Sequence, residues 1–157
     1  MTNHQRKGVI SNAHAGREFE VVAQHYFAEQ HGYTLTPNFA IELGVAGATK
    51  AKSHRFDLGC NDKKILVECK SHNWTETGNM PSAKLTVWNE AMFYFLLAPA
   101  EFKKFMFVLN SKHPKQGNKS LAEYYVEKHG HLVPPDVTII EYDTACNTAD
   151  VVLAPCN

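Results

Sequence analysis

The sequence lacks an apolar run long enough to span a bilayer, and its N-terminus, M-T-N-H-Q-R-K-G, lacks the apolar segment of a secretion signal. We therefore expect a cytoplasmic protein with no membrane partner. No linker-like change of composition interrupts the 157 residues, and a hydrophobic content of 44% suffices for one buried core. The sequence predicts one domain over residues 1–157, with its core at about 13–110 and a C-terminal helix and strand at 118–145.

Cysteine is scarce and follows no metal-binding pattern. The four cysteines, Cys60, Cys69, Cys146 and Cys156, form no C-x-x-C pair, which argues against a zinc site and a disulfide scaffold and indicates a reducing compartment. The chain also lacks a G-x-x-x-x-G-K-[ST] loop, a G-x-S-x-G elbow and internal repeats. ATP hydrolysis and serine chemistry are therefore not expected.

Net charge is absent as well, because 16 Lys and Arg balance 16 Asp and Glu. The charges are nevertheless unevenly distributed, since five lysines and no acid lie between residues 103 and 119. After Lys128 the chain contains acids but no further Lys or Arg. A basic patch that binds nucleic acid can therefore form on a neutral molecule, and a solvated lysine-rich loop is the alternative interpretation.

The hydrophobic periodicity predicts alternating helices and strands that form a mixed sheet between helices, an α/β protein. The first predicted helix carries an apolar stripe and ends at Gly32, where the chain turns. Helices are predicted at 16–31, 84–97 and 120–129, and strands at 33–43, 56–60, 65–70, 103–109 and 137–142.

The segment F-D-L-G-C-N-D-K-K-I-L-V-E-C-K predicts an antiparallel hairpin around the turn at 61–64. A symmetric turn places Asp57 opposite Glu68, with Lys70 on the same face. Two facing carboxylates destabilise a sheet unless a cation lies between them, and oxygen ligands favour Mg²⁺, for which Mn²⁺ can substitute. The alternative is a solvated hairpin in which Glu68 and Lys70 form an ordinary surface pair.

Further candidates surround this hairpin. Glu20 lies at the edge of the apolar stripe of the first helix, so it either faces the metal site or extends to solvent. Lys84 begins the second helix, where a phosphate is favoured, and His72 follows the second strand of the hairpin and can line a substrate groove. Lys52 lies in the loop before the hairpin and is a further candidate for nucleic-acid binding. The aromatic residues of the second helix favour a homodimer.

With these residues the chain resembles the PD-(D/E)xK nuclease superfamily, in its Mrr-type and Holliday-junction-resolvase-like branches. The signature is F-D, ten intervening residues and E-C-K, preceded by G-R-E-F-E-V-V-A, which is similar to the first helix of those branches. The resemblance implies a restriction-endonuclease-like αβββαβ core. In this chain Phe56 replaces the usual proline, and Asn89 is the nearest substitute for a glutamine that is common in the second helix.

The resemblance further implies a metal-dependent DNA endonuclease of the restriction, repair or recombination type. Asp57, Glu68 and the backbone carbonyl of Cys69 would bind the metal, Lys70 would position or activate water, and Glu20 would serve a second metal or its water shell. Two alternatives remain open at this stage. The chain could be a non-catalytic nucleic-acid-binding or assembly module of the same fold, or a nuclease directed at RNA, including a toxin.

Overall fold

Six strands form one mixed sheet with helices against both faces in the computed structural model of this chain, which describes residues 12–156. Residues 1–8, predicted to contain no secretion signal, lie outside the described part. The helices are α1 (Asn12–His31), α2 (Ser82–Leu97) and α3 (Leu121–His129). The strands are β1 (Thr36–Leu43), β2 (Lys52–Cys60), β3 (Ile65–Lys70), β4 (Lys103–Leu109), β5 (Val137–Asp143) and β6 (Thr148–Leu153). Among residues 12–156, no helix combines the length and apolar character that crossing a membrane requires.

The strands are arranged in the sheet in their chain order. The first three strands form an antiparallel meander, β3, β4 and β5 are parallel, and β6 returns antiparallel to β5. Each parallel pair is connected through a helix, α2 or α3, as parallel pairing requires. The predicted α/β class with a mixed sheet is therefore confirmed.

Each face of the sheet carries its own apolar core. On one face, α1 packs Phe19, Ala23 and Phe27 against the sheet, so its predicted apolar stripe is confirmed. On the other face, α2 and α3 bury a cluster that includes Trp88 and Tyr125. The helix α1 ends where Gly32 adopts a φ of 67°, a left-handed conformation that glycine takes without strain.

The hairpin of β2 and β3 has the predicted register. Cys60 pairs with Ile65, and the ladder ends at the pair Leu58–Val67, so the next residues on the two strands are Asp57 and Glu68. Its turn, residues 61–64, closes through a hydrogen bond of 3.3 Å from the Lys64 N–H to the Asn61 carbonyl.

The strand β2 changes its orientation at Asp57. Phe56 packs into the core on the α2 face, whereas Leu58, two residues later, packs into the core on the α1 face. Regular alternation would place both on one face. Asn38, the residue of β1 at the level of Asp57, has a φ of 53°, and the ladder passes from Pro37–Leu58 to Phe39–Phe56 without it. The irregularity turns Asp57 out of the regular pleat.

Several predicted boundaries differ from the structure, and one strand was not predicted. α1 begins at residue 12 and not at 16, α2 at 82 and not at 84, and β1 at 36 and not at 33. β2 begins at residue 52 and not at 56, because its polar first half is held by pairing with β1. β6 was absent from the prediction, which placed the last strand at 137–142. The bounds of β3 and β4 agree with the prediction.

Candidate functional site

The residues predicted for the site meet where β2 and β3 separate. One Asp57 carboxylate oxygen accepts a hydrogen bond of 2.7 Å from the backbone N–H of Cys69. This amide belongs to the strand segment beyond the last ladder pair, so the side chain takes the place of a strand partner. Asp57 is thereby fixed beside β3, within reach of its neighbouring charges.

Glu68 is buried and contacts two basic side chains. Its Oε2 accepts a hydrogen bond of 2.7 Å from the Lys70 ammonium, which is itself largely buried. Its Oε1 lies 3.7 Å from Nε2 of His54. The predicted surface pair of Glu68 and Lys70 is thus a buried ion pair, because only 8% and 12% of the two side chains are exposed.

Burial and the neighbouring charges shift the pKa values of the ionisable groups in the site. Burial and then the Glu68 charge raise the pKa of Asp57 to about 7. Burial acts in the same direction on Glu68, but the His54 imidazole and the Lys70 ammonium outweigh it and lower the Glu68 pKa. The pKa of Lys70 is raised, since the carboxylates of Glu68 and Asp57 overcome the effect of burial. At neutral pH the site holds an ion pair and a carboxyl group close to its titration midpoint.

A cavity of about 490 Å³ opens beside Asp57 and Lys70 on the side of α1. Glu20 lines it, half-buried, so the structure places this residue in the site and not in solvent. Burial and the Glu68 charge raise the pKa of Glu20. Cys69, the residue whose carbonyl is the expected third metal ligand, lines the same cavity.

His72 and Lys84 also form part of the wall of this cavity. Nδ1 of His72 accepts a hydrogen bond of 2.8 Å from the indole of Trp88, so a neutral His72 carries its proton on Nε2. Burial and the charges of Lys84 and Lys70 lower the pKa of His72 to about 4. The wall therefore presents a neutral hydrogen-bond donor beside a cation, which suits a phosphate group.

A second cavity of about 210 Å³ meets the site on the side of α2. It shares Asp57, Glu68 and Lys70, and its outer wall contains Arg55 and Glu90. Two cavities therefore meet at Asp57 and Lys70.

The loop after β3, residues 71–81, is anchored by the loop between β4 and α3. The buried Trp74 donates from its backbone N–H to the Ser111 hydroxyl at 3.1 Å and from its indole to the Lys119 carbonyl at 3.2 Å. Trp74 therefore packs this loop against the rest of the fold, while His72, which was predicted to line a groove, lines the cavity together with Asn73.

The tip of the same loop is held by further contacts. Gly78 has a φ of 72° and lies against the ring of His113, where an added Cβ would lie 2.4 Å from the ring. The Gln116 amide donates to the Gly78 carbonyl at 2.7 Å, and the Lys115 ammonium donates to the Asn79 side chain at 3.0 Å. The cavity wall is therefore attached to a part of the chain more than thirty residues away.

Two predicted nucleic-acid-binding residues lie apart from these contacts. The Asn89 side chain accepts a hydrogen bond of 2.9 Å from the Tyr125 hydroxyl, so it is directed toward α3. Lys52 is exposed at the start of β2 and lines a neighbouring cavity of about 220 Å³ together with His54 and Tyr94.

The lysines of residues 103–119 do not form one surface. Lys103 and Lys104 pair with the first two residues of β3, at the end of the sheet away from Lys70, and Lys104 is buried in an ion pair with Asp136. The other three, Lys112, Lys115 and Lys119, follow β4 at the opposite end. The basic patch suggested by the sequence is thus divided between the two ends.

The donor chemistry of the site fits a divalent cation. Within residues 12–156, no three His, Cys, Asp or Glu side chains already stand together as a set of metal ligands. Asp57 and Glu68 nevertheless offer hard carboxylate oxygens, and burial together with their mutual repulsion raises the Asp57 pKa. A cation that bound both would relieve this repulsion.

Two buried polar groups were missed by the sequence interpretation. His54 lies in the polar first half of β2, which the prediction did not include. Glu141 is buried in β5, with one carboxylate oxygen 2.9 Å from the Asn110 amide, and burial raises its pKa. The sequence carried one signal for Glu141, a lone acid within the apolar run V-T-I-I-E-Y.

Nothing matches this chain in comparisons with family models, curated proteins and solved structures.

Proposed function

We propose that the protein is a metal-dependent endonuclease that hydrolyses phosphodiester bonds in DNA, with the restriction-endonuclease-like fold of the PD-(D/E)xK superfamily. One observation carries the proposal: Asp57, Glu68 and Lys70 converge in a buried site where two cavities meet. Such a grouping weakens the fold, because two carboxylates are desolvated next to one another. A function that needs these charges explains why the protein keeps a grouping that weakens its fold.

Each residue of the site has a distinct role in the proposed reaction. Asp57 and Glu68 would hold Mg²⁺ or Mn²⁺, which supplies Lewis-acid polarisation of the phosphoryl oxygen and neutralises developing charge. Lys70 has a raised pKa and stays protonated beside Glu68, which supports a role in orienting water and neutralising phosphate charge. Glu20 lies on the α1 side of the cavity, where its carboxylate can accept a hydrogen bond from a water molecule.

The walls of the site suit a nucleic acid strand. Lys84 and the Nε2–H of His72 offer a cation and a donor to a phosphate next to the reacting one, and Arg55 offers a cation on the other side. The second cavity accommodates the strand where it leaves the site. We propose that the substrate is DNA. Cleavage of RNA alone would show instead that the substrate is RNA.

The test compares the wild type with Lys70→Met on supercoiled plasmid, a four-way junction, single-stranded DNA and single-stranded RNA. Each substrate is incubated with Mg²⁺, Mn²⁺ or EDTA. We expect metal-dependent DNA cleavage that falls by about 10²- to 10⁴-fold in Lys70→Met. Lys103→Met, which removes an exposed lysine at the far end of the sheet, is the matched control and should keep wild-type activity.

Three kinds of outcome would count against the proposal. Cleavage of RNA alone would replace the substrate class while keeping the chemistry. Cleavage that persists in Lys70→Met, or that continues in EDTA, would reject the assigned site. If the folded wild type cut none of the substrates with either metal, a non-catalytic module would be the better interpretation.

A further inference from the structure

His54 is held in a fixed orientation beside the site. Its ring stacks on Tyr94 with 3.6 Å between centroids and an interplanar angle of 17°. The ring of Phe56 meets it edge-on, at 4.8 Å and 84°. Two aromatic neighbours therefore fix the plane of the imidazole and, with it, the direction in which Nε2 points.

The Nε2 atom of His54 is buried, and among residues 12–156 it has no hydrogen-bond partner. Its polar neighbour is Oε1 of Glu68 at 3.7 Å, beyond hydrogen-bond distance. Either protonation state leaves the atom unsatisfied: a protonated Nε2 has no acceptor close enough, and an unprotonated one directs its lone pair toward a carboxylate. A buried polar group without a partner destabilises the fold.

A cation bound between Nε2 of His54 and Oε1 of Glu68 would give the nitrogen lone pair a partner and would separate it from the carboxylate charge. The two atoms lie 3.7 Å apart, a separation at which one divalent cation could contact both the imidazole nitrogen and the carboxylate oxygen.

We infer that His54 is a metal ligand together with Glu68, and that its nitrogen makes the site select Mn²⁺ over Mg²⁺. This inference rests on the proposed function, because it assigns a further ligand to the same metal site. Imidazole nitrogen is a better ligand for Mn²⁺, a first-row transition metal, than for Mg²⁺, which takes oxygen ligands and retains several waters. Lys70 contacts the other oxygen of Glu68, so Oε1 is the oxygen that faces His54.

Metal binding to the full chain provides a test independent of cleavage. The wild type is titrated with Mn²⁺ and followed by electron paramagnetic resonance, and its affinity for Mg²⁺ is obtained by competition. Electron spin-echo envelope modulation of bound Mn²⁺ then detects a directly coordinated imidazole nitrogen. We expect this nitrogen signal in the wild type.

His54→Phe keeps an aromatic ring on Tyr94 and removes the nitrogen. We expect Mn²⁺ affinity to fall by about 10- to 100-fold, Mg²⁺ affinity to change by less than about threefold, and the nitrogen signal to disappear. The matched control is His31→Phe, because His31 also stacks on a tyrosine, Tyr33, at 17°. It should leave both affinities and the signal unchanged. His54→Gln serves as a second variant if His54→Phe does not fold.

The outcomes separate the inference from the proposed function. Bound Mn²⁺ without a nitrogen signal, a signal that persists in His54→Phe, or an equal loss of Mn²⁺ and Mg²⁺ affinity would overturn the inference and leave a metal-dependent nuclease intact. Absence of any divalent metal binding by the folded wild type would overturn the inference together with the proposed function.

Discussion

The Asp57 carboxylate bonds the backbone N–H of Cys69 at 2.7 Å, across the point where β2 and β3 separate. This contact holds the carboxyl group in place but does not offset its burial beside Glu68, and the pKa of Asp57 rises to about 7. The residue that we propose as a metal ligand is therefore a source of instability in the metal-free protein.

We predict that Asp57→Asn stabilises the metal-free protein at pH 8 by about 1–3 kcal/mol. The folded-state pKa lies above the unfolded one, so the folded protein binds more protons between about pH 4 and pH 7, and stability decreases as pH rises through this window. Asparagine carries no charge and can still accept the Cys69 hydrogen bond. Urea unfolding in EDTA at several pH values measures the difference.

The advantage of Asp57→Asn should disappear below about pH 4, where Asp57 is protonated in both states. Asp62→Asn, in the exposed turn of the same hairpin, is the control and should change stability little. A variant that is less stable than the wild type at pH 8 would show that ionised Asp57 supports the fold.

We predict that the His72 ring stays neutral from pH 8 down to pH 5, because its folded pKa is lowered to about 4. The unfolded state then binds more protons between about pH 4 and pH 6.5, and this residue lowers stability as pH falls through that range. Nitrogen NMR shifts of the ring should remain constant in the folded protein. In urea the same ring should titrate near 6.5. A folded ring that titrated there would contradict burial and the charges of Lys84 and Lys70 as the cause of its lowered pKa.

Gly78→Ala should lower stability by about 2–4 kcal/mol and weaken substrate binding. The change combines a strained positive φ with a clash against His113, so the cavity wall must move. Gly47→Ala separates the two effects, since Gly47 has a φ of 81° but open space around its Cβ position. We expect this control to lose only about 1 kcal/mol and to keep wild-type KM. Equal effects of the two variants would exclude the contact with His113 as a determinant.

Lys84→Met should raise KM for DNA and leave kcat within about twofold, because Lys84 contacts a phosphate beside the reacting one in our proposal. Removing one phosphate contact should reduce the slope of log affinity against log salt by about 1. The control is Lys63→Met, in the hairpin turn away from the cavity. A fall in kcat at unchanged KM would indicate that Lys84 acts on the reaction itself.

The sequence was informative where local rules decide the structure. The symmetric turn at 61–64 predicted the hairpin register, and Gly32 predicted the end of α1. From these followed the meeting of Asp57, Glu68 and Lys70. Glu20 was located by its helical position at the edge of an apolar stripe.

Features that depend on distant pairing were not predictable in the same way. The polar residues K-S-H-R show no strand pattern by themselves, because β1 supplies their hydrogen bonds, and His54 was missed with them. The change of face at Asp57 arises from the irregular backbone of Asn38, which pairs with no residue of β2. Asn89 was chosen by resemblance, and its contact with Tyr125 comes from a helix that begins thirty-two residues later.

The attachment of residues 71–81 to Ser111 and Lys119 has a consequence for synthesis on the ribosome. A nascent chain that ends after Lys84 already contains Glu20, Asp57, Glu68 and Lys70, yet it lacks β4, β5 and both anchors of Trp74. We expect such a chain to have no formed cavity. Under the proposed function, the protein would become active only after the segments that anchor Trp74 have been made, so shorter nascent chains would not cut DNA.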